Sequence, residues 1–257
     1  MSKKKILIYI PAYKAAHTLA SVFRRAPASV KNSADFLVVD NASPDKTYEA
    51  ALECKRKKLA PSITAIHNKT NQGYGGSQKI AYRYAIKQGY DYVVMLHADG
   101  QYPPEKVPEI IGLLDKGADM AFGSRITGNP LQGGMPKWKY FGNRCLNVIE
   151  NFVTWLWISE YHSGFRAYRC GALASVPFER CSSDYHFDTD ILIQFAAKRL
   201  TIMEFPIPTH YGKESHTISP GEVVVYSSGI LKSLAEYMLH RTRLRHSHKF
   251  DVHGRKK

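Results

Sequence analysis

Apolar residues along the first 125 positions fall into short solid runs separated by longer stretches of mixed pattern. Residues 5–11, 36–40, 63–67, 92–96 and 120–123 are mostly apolar and of strand length. Residues 19–25, 47–57, 77–88 and 104–116 lie between them and repeat apolar positions at helical spacing. Strands alternating with helices predict a parallel sheet with right-handed crossovers. Pro103-Pro104 suits a helix start, since first-turn amides have no intrahelical acceptor. Beyond Arg125 the rhythm breaks. Residues 128–136 are rich in Gly and Pro and read as a loop. Residues 140–158 predict a helix, 165–169 a strand, 187–198 a helix and 201–207 a strand. A last helix is expected from about residue 221 to 240, running into a basic tail. The fold class is α/β: one domain over residues 1–215, a mostly parallel Rossmann-like sheet flanked by helices, then an amphipathic helix and tail over 216–257.

The densest chemistry follows the fourth strand. Val93, Val94, Met95 and Leu96 read as buried, and His97, Asp99 and Gln101 come next at i, i+2 and i+4. In an extended chain these three point to one side. They would emerge at a carboxyl strand end, where open α/β sheets bind ligands. An imidazole, a carboxylate and an amide oxygen suit a divalent cation beside a phosphate. A strand closing in a polar turn is the plain alternative.

Composition narrows the partners. The 257 residues suffice for one sizeable core, and 44% hydrophobic content excludes a disordered chain. Lysine and arginine outnumber acids 36 to 22, a net +14 that favours anionic partners. Seven of those cations lie from Arg241 onward, against one acid, Asp251. Four cysteines without CxxC spacing argue against a zinc or redox motif, and their scarcity fits a reducing, cytoplasmic setting. The N-terminal apolar run is too short for a signal peptide. Residues 146–158, interrupted by Asn147, Glu150 and Asn151, are too polar to span a bilayer.

Other candidates sit at expected strand ends. Pro11 and Tyr13 close the first strand. Asp40 closes the second, placed to accept hydrogen bonds from a base or ribose, while Asp45 suits the cap of the next helix. Asn71-Gln72-Gly73-Tyr74-Gly75-Gly76-Ser77 precedes a helix, where glycines let amides approach an anion. A plain loop-to-helix turn explains it equally. Arg125 could grip a diphosphate, with Arg144 and Lys137 as further cations. Glu160 precedes Ser163-Gly164-Phe165-Arg166. Asp188 and Asp190 head an apolar helix, as a general base or as dipole partners.

In order along the chain these segments resemble family 2 glycosyltransferases of the GT-A fold, in particular the dolichol-phosphate mannose synthase-like and polyprenyl-phosphate branch. Pro11-Ala12-Tyr13 is similar to the family's PxYN, with Lys14 for Asn. Asp40 to Thr47 is similar to DDGSxDGT, with Asn41 for the second Asp, and Asn71 to Gly75 to NxGxG. His97-Ala98-Asp99-Gly100-Gln101 is similar to DADxQ, with His97 for the first acid. Gly123-Ser124-Arg125 matches GSR, and Ser163-Gly164-Phe165-Arg166 matches SGFR. Glu204-Phe205-Pro206-Ile207 resembles EVPI, and Tyr211 to His216 resembles YGxSK. The resemblance implies a nucleotide-sugar donor and Mn2+ or Mg2+. It assigns Pro11, Tyr13, Asp40, Asn71 and Gly73 to the nucleotide, Asp99, Gln101 and His97 to metal and diphosphate, and Arg125 and Arg144 to leaving-group charge. A neutral imidazole at 97 favours Mn2+ over Mg2+. The implied reaction is inverting transfer from a UDP- or GDP-sugar to a polyprenyl phosphate or a glycan. A hydroxyl acceptor needs a base, for which Glu160 and Asp188 are the candidates, whereas a phosphate needs little.

Three other readings compete: a nucleotidyltransferase or related nucleotide-sugar enzyme, a donor-binding pseudoenzyme, and a nucleic-acid-binding protein. The last leaves the strand-end motifs unexplained and lacks an RNP1-like segment, so no nucleic-acid partner is expected. The basic C-terminus, with the apolar residues of 223–239, suits peripheral docking on an anionic membrane surface; a solvated tail is the alternative. Oligomeric state is not legible.

Overall fold

The computed structural model describes residues 4–208 and 220–254. Its strands are β1 (Ile6–Ala12), β2 (Ala34–Asp40), β3 (Ile63–His67), β4 (Tyr92–Met95), β5 (Met120–Ser124), β6 (Arg166–Arg169) and β7 (Ile202–Pro206). They form one sheet in the order β3-β2-β1-β4-β6-β5-β7. The sheet is mostly parallel, as the alternation predicts; β6 runs antiparallel to both β4 and β5. The helices are α1 (Leu19–Arg25), α2 (Ala28–Lys31), α3 (Thr47–Arg56), α4 (Gly73–Lys87), α5 (Val107–Asp115), α6 (Lys137–Thr154), α7 (Cys170–Ala174), α8 (Phe187–Lys198) and α9 (Pro220–Arg241). The short α2 and α7 carry too few turns to show periodicity. Two boundaries shift: α4 starts at Gly73 rather than 77, and α6 covers 137–154 rather than 140–158.

Strand residues alternate between two cores. Ile8, Ile10, Val38 and Val94 pack with Leu19, Val22 and Ile110, whereas Leu7, Tyr9, Leu37 and Val93 pack with Ala81, Ile191 and Leu192. Burying both faces explains why the strands read as solid apolar runs. α9 lays Ile230, Leu234 and Tyr237 against Ile193 and Phe250.

The segment after α9 departs from the expected loose tail. Lys249 pairs with Asp190 at 3.0 Å and Glu236 at 3.2 Å. Gln194 donates to the Lys249 carbonyl at 2.7 Å, and Phe250 is buried. α9 and residues 247–252 therefore share a core with α8, leaving Arg243, Leu244 and Arg245 exposed. The Tyr211 to His216 motif lies outside the described residues. Among the described residues no helix is long and apolar enough to cross a membrane.

Candidate active site

Strand order reverses between β1 and β4, and a cavity of about 830 Å³ opens at their carboxyl ends. It brings together Pro11, Tyr13, Asn71, Gly73, His97, Asp99, Gln101, Arg125 and Asp188. Asp40, Arg144 and Glu160 lie outside its lining.

The three polar groups after β4 meet by a turn, not by extended alternation. β4 stops at Met95, and Gly100 takes φ +71°. Asp99 Oδ1 accepts the Gln101 amide at 3.0 Å. His97 lies between the rings of Tyr74 and Tyr102, its Nε2 buried without a partner. A Cβ on Gly164 would stand 2.5 Å from that nitrogen, so only glycine fits there. Burial pushes the His97 pKa down and keeps the imidazole neutral. With Nε2 sealed, Nδ1 is the ring nitrogen left for a ligand. Among the described residues no three His, Cys, Asp or Glu gather to hold a metal. The donors therefore fit a hard cation shared with a diphosphate, through Asp99 and Gln101, better than a self-sufficient protein site.

Arg125 is fixed from behind. Glu160, fully buried, accepts the Arg125 amide at 2.6 Å, its Nε at 2.7 Å and its Nη2, while the His162 carbonyl accepts Nη2 at 2.8 Å. Glu160 is thus committed to the guanidinium and is no free base, which corrects the expectation for it. Asp40 is similarly engaged: Oδ2 lies 2.6 Å from His67 Nδ1, and Oδ1 accepts the Ser43 amide at 3.2 Å. Asp40 ends β2 and Glu160 lies in the loop between α6 and β6, and the oxygens of both are taken up by neighbouring groups of the fold. Asp45 is not the cap expected of it: the N-cap of α3 is Lys46, which has no side-chain capping bond, and Asp45, one residue earlier, accepts the Thr47 hydroxyl at 2.5 Å and the Thr47 amide at 3.3 Å.

Helical phase decides which cation of α6 reaches the cavity. Trp138, Lys139, Gly142, Asn143 and Leu146 face it, and Arg144 turns outward to solvent. Lys139, absent from the sequence reading, replaces Arg144 and Lys137. Burial, then repulsion from Arg125, pushes its pKa down to about 8. The remaining faces of α6 invert the usual pattern. Asn147, Glu150 and Thr154 are buried, whereas Phe141, Val148 and Phe152, and Trp155 at the C-cap, are exposed.

The glycine-rich segment makes a tight joint instead of an anion cradle. Gly75 and Gly76 donate their amides to the Ser183 carbonyl at 2.8 and 3.2 Å. A Cβ on Gly73, at φ +75°, would stand 2.3 Å from that same oxygen. Asn41 wires β2 to this joint. Its Nδ2 donates to Asn71 Oδ1 (2.9 Å) and the Gly73 carbonyl (3.1 Å), and its Oδ1 accepts the Gln72 amide (2.9 Å). A carboxylate could not donate, so asparagine suits this position. Lys14 takes φ +52°, a left-handed conformation that asparagine adopts more easily than lysine.

Asp188, at the start of α8, accepts the Tyr74 hydroxyl at 3.0 Å and Gln78 Nε2 at 3.3 Å, with Arg166 Nη1 at 3.7 Å. It is the expected base that does reach the cavity. Tyr185, stacked on Tyr74, and Tyr226 of α9 extend an aromatic wall beside it. Isolated tyrosines carry no motif, so only the packing of α9 reveals them.

Comparison with known proteins agrees with this geometry. The family model described as glycosyl transferase family 2 matches residues 7–176. The chain is 29% identical over 204 residues to an undecaprenyl-phosphate mannosyltransferase of Micrococcus luteus, covering 79% of this chain and 82% of that one. It is 26% identical to a UDP-N-acetylglucosamine–dolichyl-phosphate N-acetylglucosaminyltransferase of Methanococcus voltae, covering 84% and 89%. In fold it is similar to glucosyl-3-phosphoglycerate synthase of Mycobacterium tuberculosis, solved with Mn2+, UDP and phosphoglyceric acid (TM-score 0.66, 18% identity, 91% and 78% covered).

Proposed function

Because the chain belongs to glycosyl transferase family 2 and is a glycosyltransferase, we propose that it moves a hexosyl unit from a nucleoside-diphosphate sugar to a polyprenyl phosphate at a membrane surface. The observation that carries this reading is α6. One side of it lines the cavity with Lys139 and Leu146, and another exposes Phe141, Val148 and Phe152 to the outside, with Trp155 exposed at its C-cap. Val224 and Val225 of α9, exposed nearby in sequence to the cavity-lining Val223 and Tyr226, continue that character. An outward apolar stripe with aromatic residues suits the headgroup boundary of a bilayer. Exposed Arg243 and Arg245 would add attraction to anionic lipid. A lipid acceptor could then keep its chain in the leaflet while its phosphate enters beside Lys139 and Arg125. The two relatives named above act on polyprenyl phosphates.

The residues divide the work. Pro11, Tyr13, Asn71 and Gly73 form the donor side. Asp99 and Gln101, with His97 at most through Nδ1, would hold Mn2+ or Mg2+, which supplies charge neutralisation for the departing diphosphate. Arg125, oriented by Glu160, opposes the same developing charge. A phosphate acceptor is already anionic and attacks the anomeric carbon with inversion. Asp188 would serve as base only for a hydroxyl acceptor. The test incubates the purified chain with UDP- and GDP-sugars, Mn2+ or Mg2+, and undecaprenyl phosphate in anionic vesicles. Formation of lipid-linked sugar with release of nucleoside diphosphate is expected. Transfer to a soluble glycan alone, or donor binding without turnover, would overturn the reading.

A further inference from the structure

A buried polar chain in the cavity wall, which His162 itself helps to line, has no part in the reaction proposed above. His162, in the loop before β6, is 4% exposed in its side chain. Its Nδ1 lies 2.7 Å from the Tyr226 hydroxyl of α9, and its Nε2 lies 3.1 Å from Glu150 Oε2 of α6. Glu150 in turn accepts the Thr189 hydroxyl of α8 at 2.8 Å. α6 and α9 thus meet at one imidazole of the β6 loop, with α8 tied in through Glu150. Packing alone does not call for this, since buried polar groups cost free energy unless they are paired, and His162 Nε2 and Glu150 Oε2 meet without making a hydrogen bond. The same His162 also accepts Arg125 Nη2 through its carbonyl at 2.8 Å. One residue therefore sets the position of two cavity-lining groups, Arg125 and Tyr226.

The protonation pattern points to an anion. A hydroxyl offers one proton and two acceptor sites. Burial pushes the Tyr226 pKa far above that of an ordinary phenol, so the hydroxyl keeps its proton and acts as a hydrogen-bonding group only. The 2.7 Å contact is made in one of two ways, and when His162 Nδ1 carries the hydrogen it donates to the Tyr226 oxygen. The phenol proton is then free to point into the cavity. A neutral His162 protonated at Nε2 would instead draw that proton inward.

We propose that Tyr226 contacts the acceptor, donating its hydroxyl to a phosphate oxygen held between Lys139 and Arg125, and that His162 and Glu150 are positioning residues for it. The inference rests on the polyprenyl-phosphate reading. Its test is steady-state transfer by the full chain to undecaprenyl phosphate in detergent micelles, donor and acceptor varied separately. Tyr226→Phe should raise the acceptor KM about ten- to a hundredfold, the worth of a hydrogen bond to a charged group, and leave the donor KM unchanged, while the unfolding midpoint falls by the few degrees that losing the buried His162 contact costs. His162→Gln should act on the same constant, and the double variant should be little worse than Tyr226→Phe alone, because the pair works as a unit. An unchanged acceptor KM in Tyr226→Phe overturns the inference, and additive effects overturn the positioning role. If the wild-type chain fails to glycosylate polyprenyl phosphate, the acceptor reading falls and this inference falls with it. That failure is read from the wild type alone and is not confused with the other two.

Discussion

Replacing Glu160 by glutamine separates a holder of Arg125 from a catalytic base. The carboxylate is buried and receives the Arg125 amide, Nε and Nη2 together. Glutamine keeps one acceptor oxygen and turns two hydrogens toward those donors. A guanidinium that is only 6% exposed then stays charged without its counter-charge. Breaking one side of a buried pair costs about 3–5 kcal/mol. In a domain of this size each kcal/mol moves the unfolding midpoint by about 2–4 °C, so Glu160→Gln should lose about 6–20 °C. Transfer measured well below the new midpoint should fall too, because Arg125 loses its orientation. The double variant Arg125→Met, Glu160→Leu should stay inactive yet recover much of the midpoint, since it leaves no buried charge unpaired. Scanning calorimetry beside an initial-rate assay reads both quantities. A midpoint within about 2 °C of wild type together with lost transfer would refute the reasoning, and would make Glu160 a chemical group after all.

Other outcomes follow from the same geometry. Lys139, with its pKa pushed down to about 8, is charged below that pH and neutral above it. The acceptor KM should be flat below pH 8 and rise about tenfold per unit above, a limb that Lys139→Arg removes; a limb that survives the substitution counts against Lys139 as the anion contact. Phe152→Ser with Trp155→Ser, at positions 71% and 61% exposed, should abolish flotation with anionic vesicles without lowering the unfolding midpoint. Unchanged flotation would remove α6 from the membrane contact. Asp99→Ala should cut transfer at least about a hundredfold and move stability by no more than about 0.5 kcal/mol; near-normal turnover would take Asp99 out of the site. Lys249→Met leaves Asp190 buried without its partner and should cost about 3 kcal/mol in denaturant unfolding, whereas an unchanged midpoint would mean that residues 247–252 are not seated on α8.

The sheet was legible because buried parallel strands announce themselves as solid apolar runs, and the motif order placed their polar ends. What the order could not show is which way a motif acid faces. Asp40, Glu160 and Asp99 look alike in sequence, yet the first two meet His67 and Arg125 while the third meets the cavity. Those partners lie 27 and 35 residues away, beyond any local pattern. His97, Asp99 and Gln101 do converge, but through the turn at Gly100. Sequence marks Arg144 as a cation and passes over Lys139, because the phase of α6 against the cavity is not written in local pattern. Tyr226 and His162 are brought together by the packing of α9, across 64 residues of chain.

The inverted face of α6 carries a kinetic consequence. If the exposed Phe152 and Trp155 insert into a leaflet, as proposed, the search for acceptor loses a dimension. Turnover should then follow the mole fraction of polyprenyl phosphate in the surface, not its amount per litre. Diluting the leaflet with inert lipid at constant total acceptor should slow the enzyme, while diluting the whole suspension with buffer should leave each bound molecule working at the same rate. The orientation of one helix would thereby fix the variable in which the rate law of this protein is written.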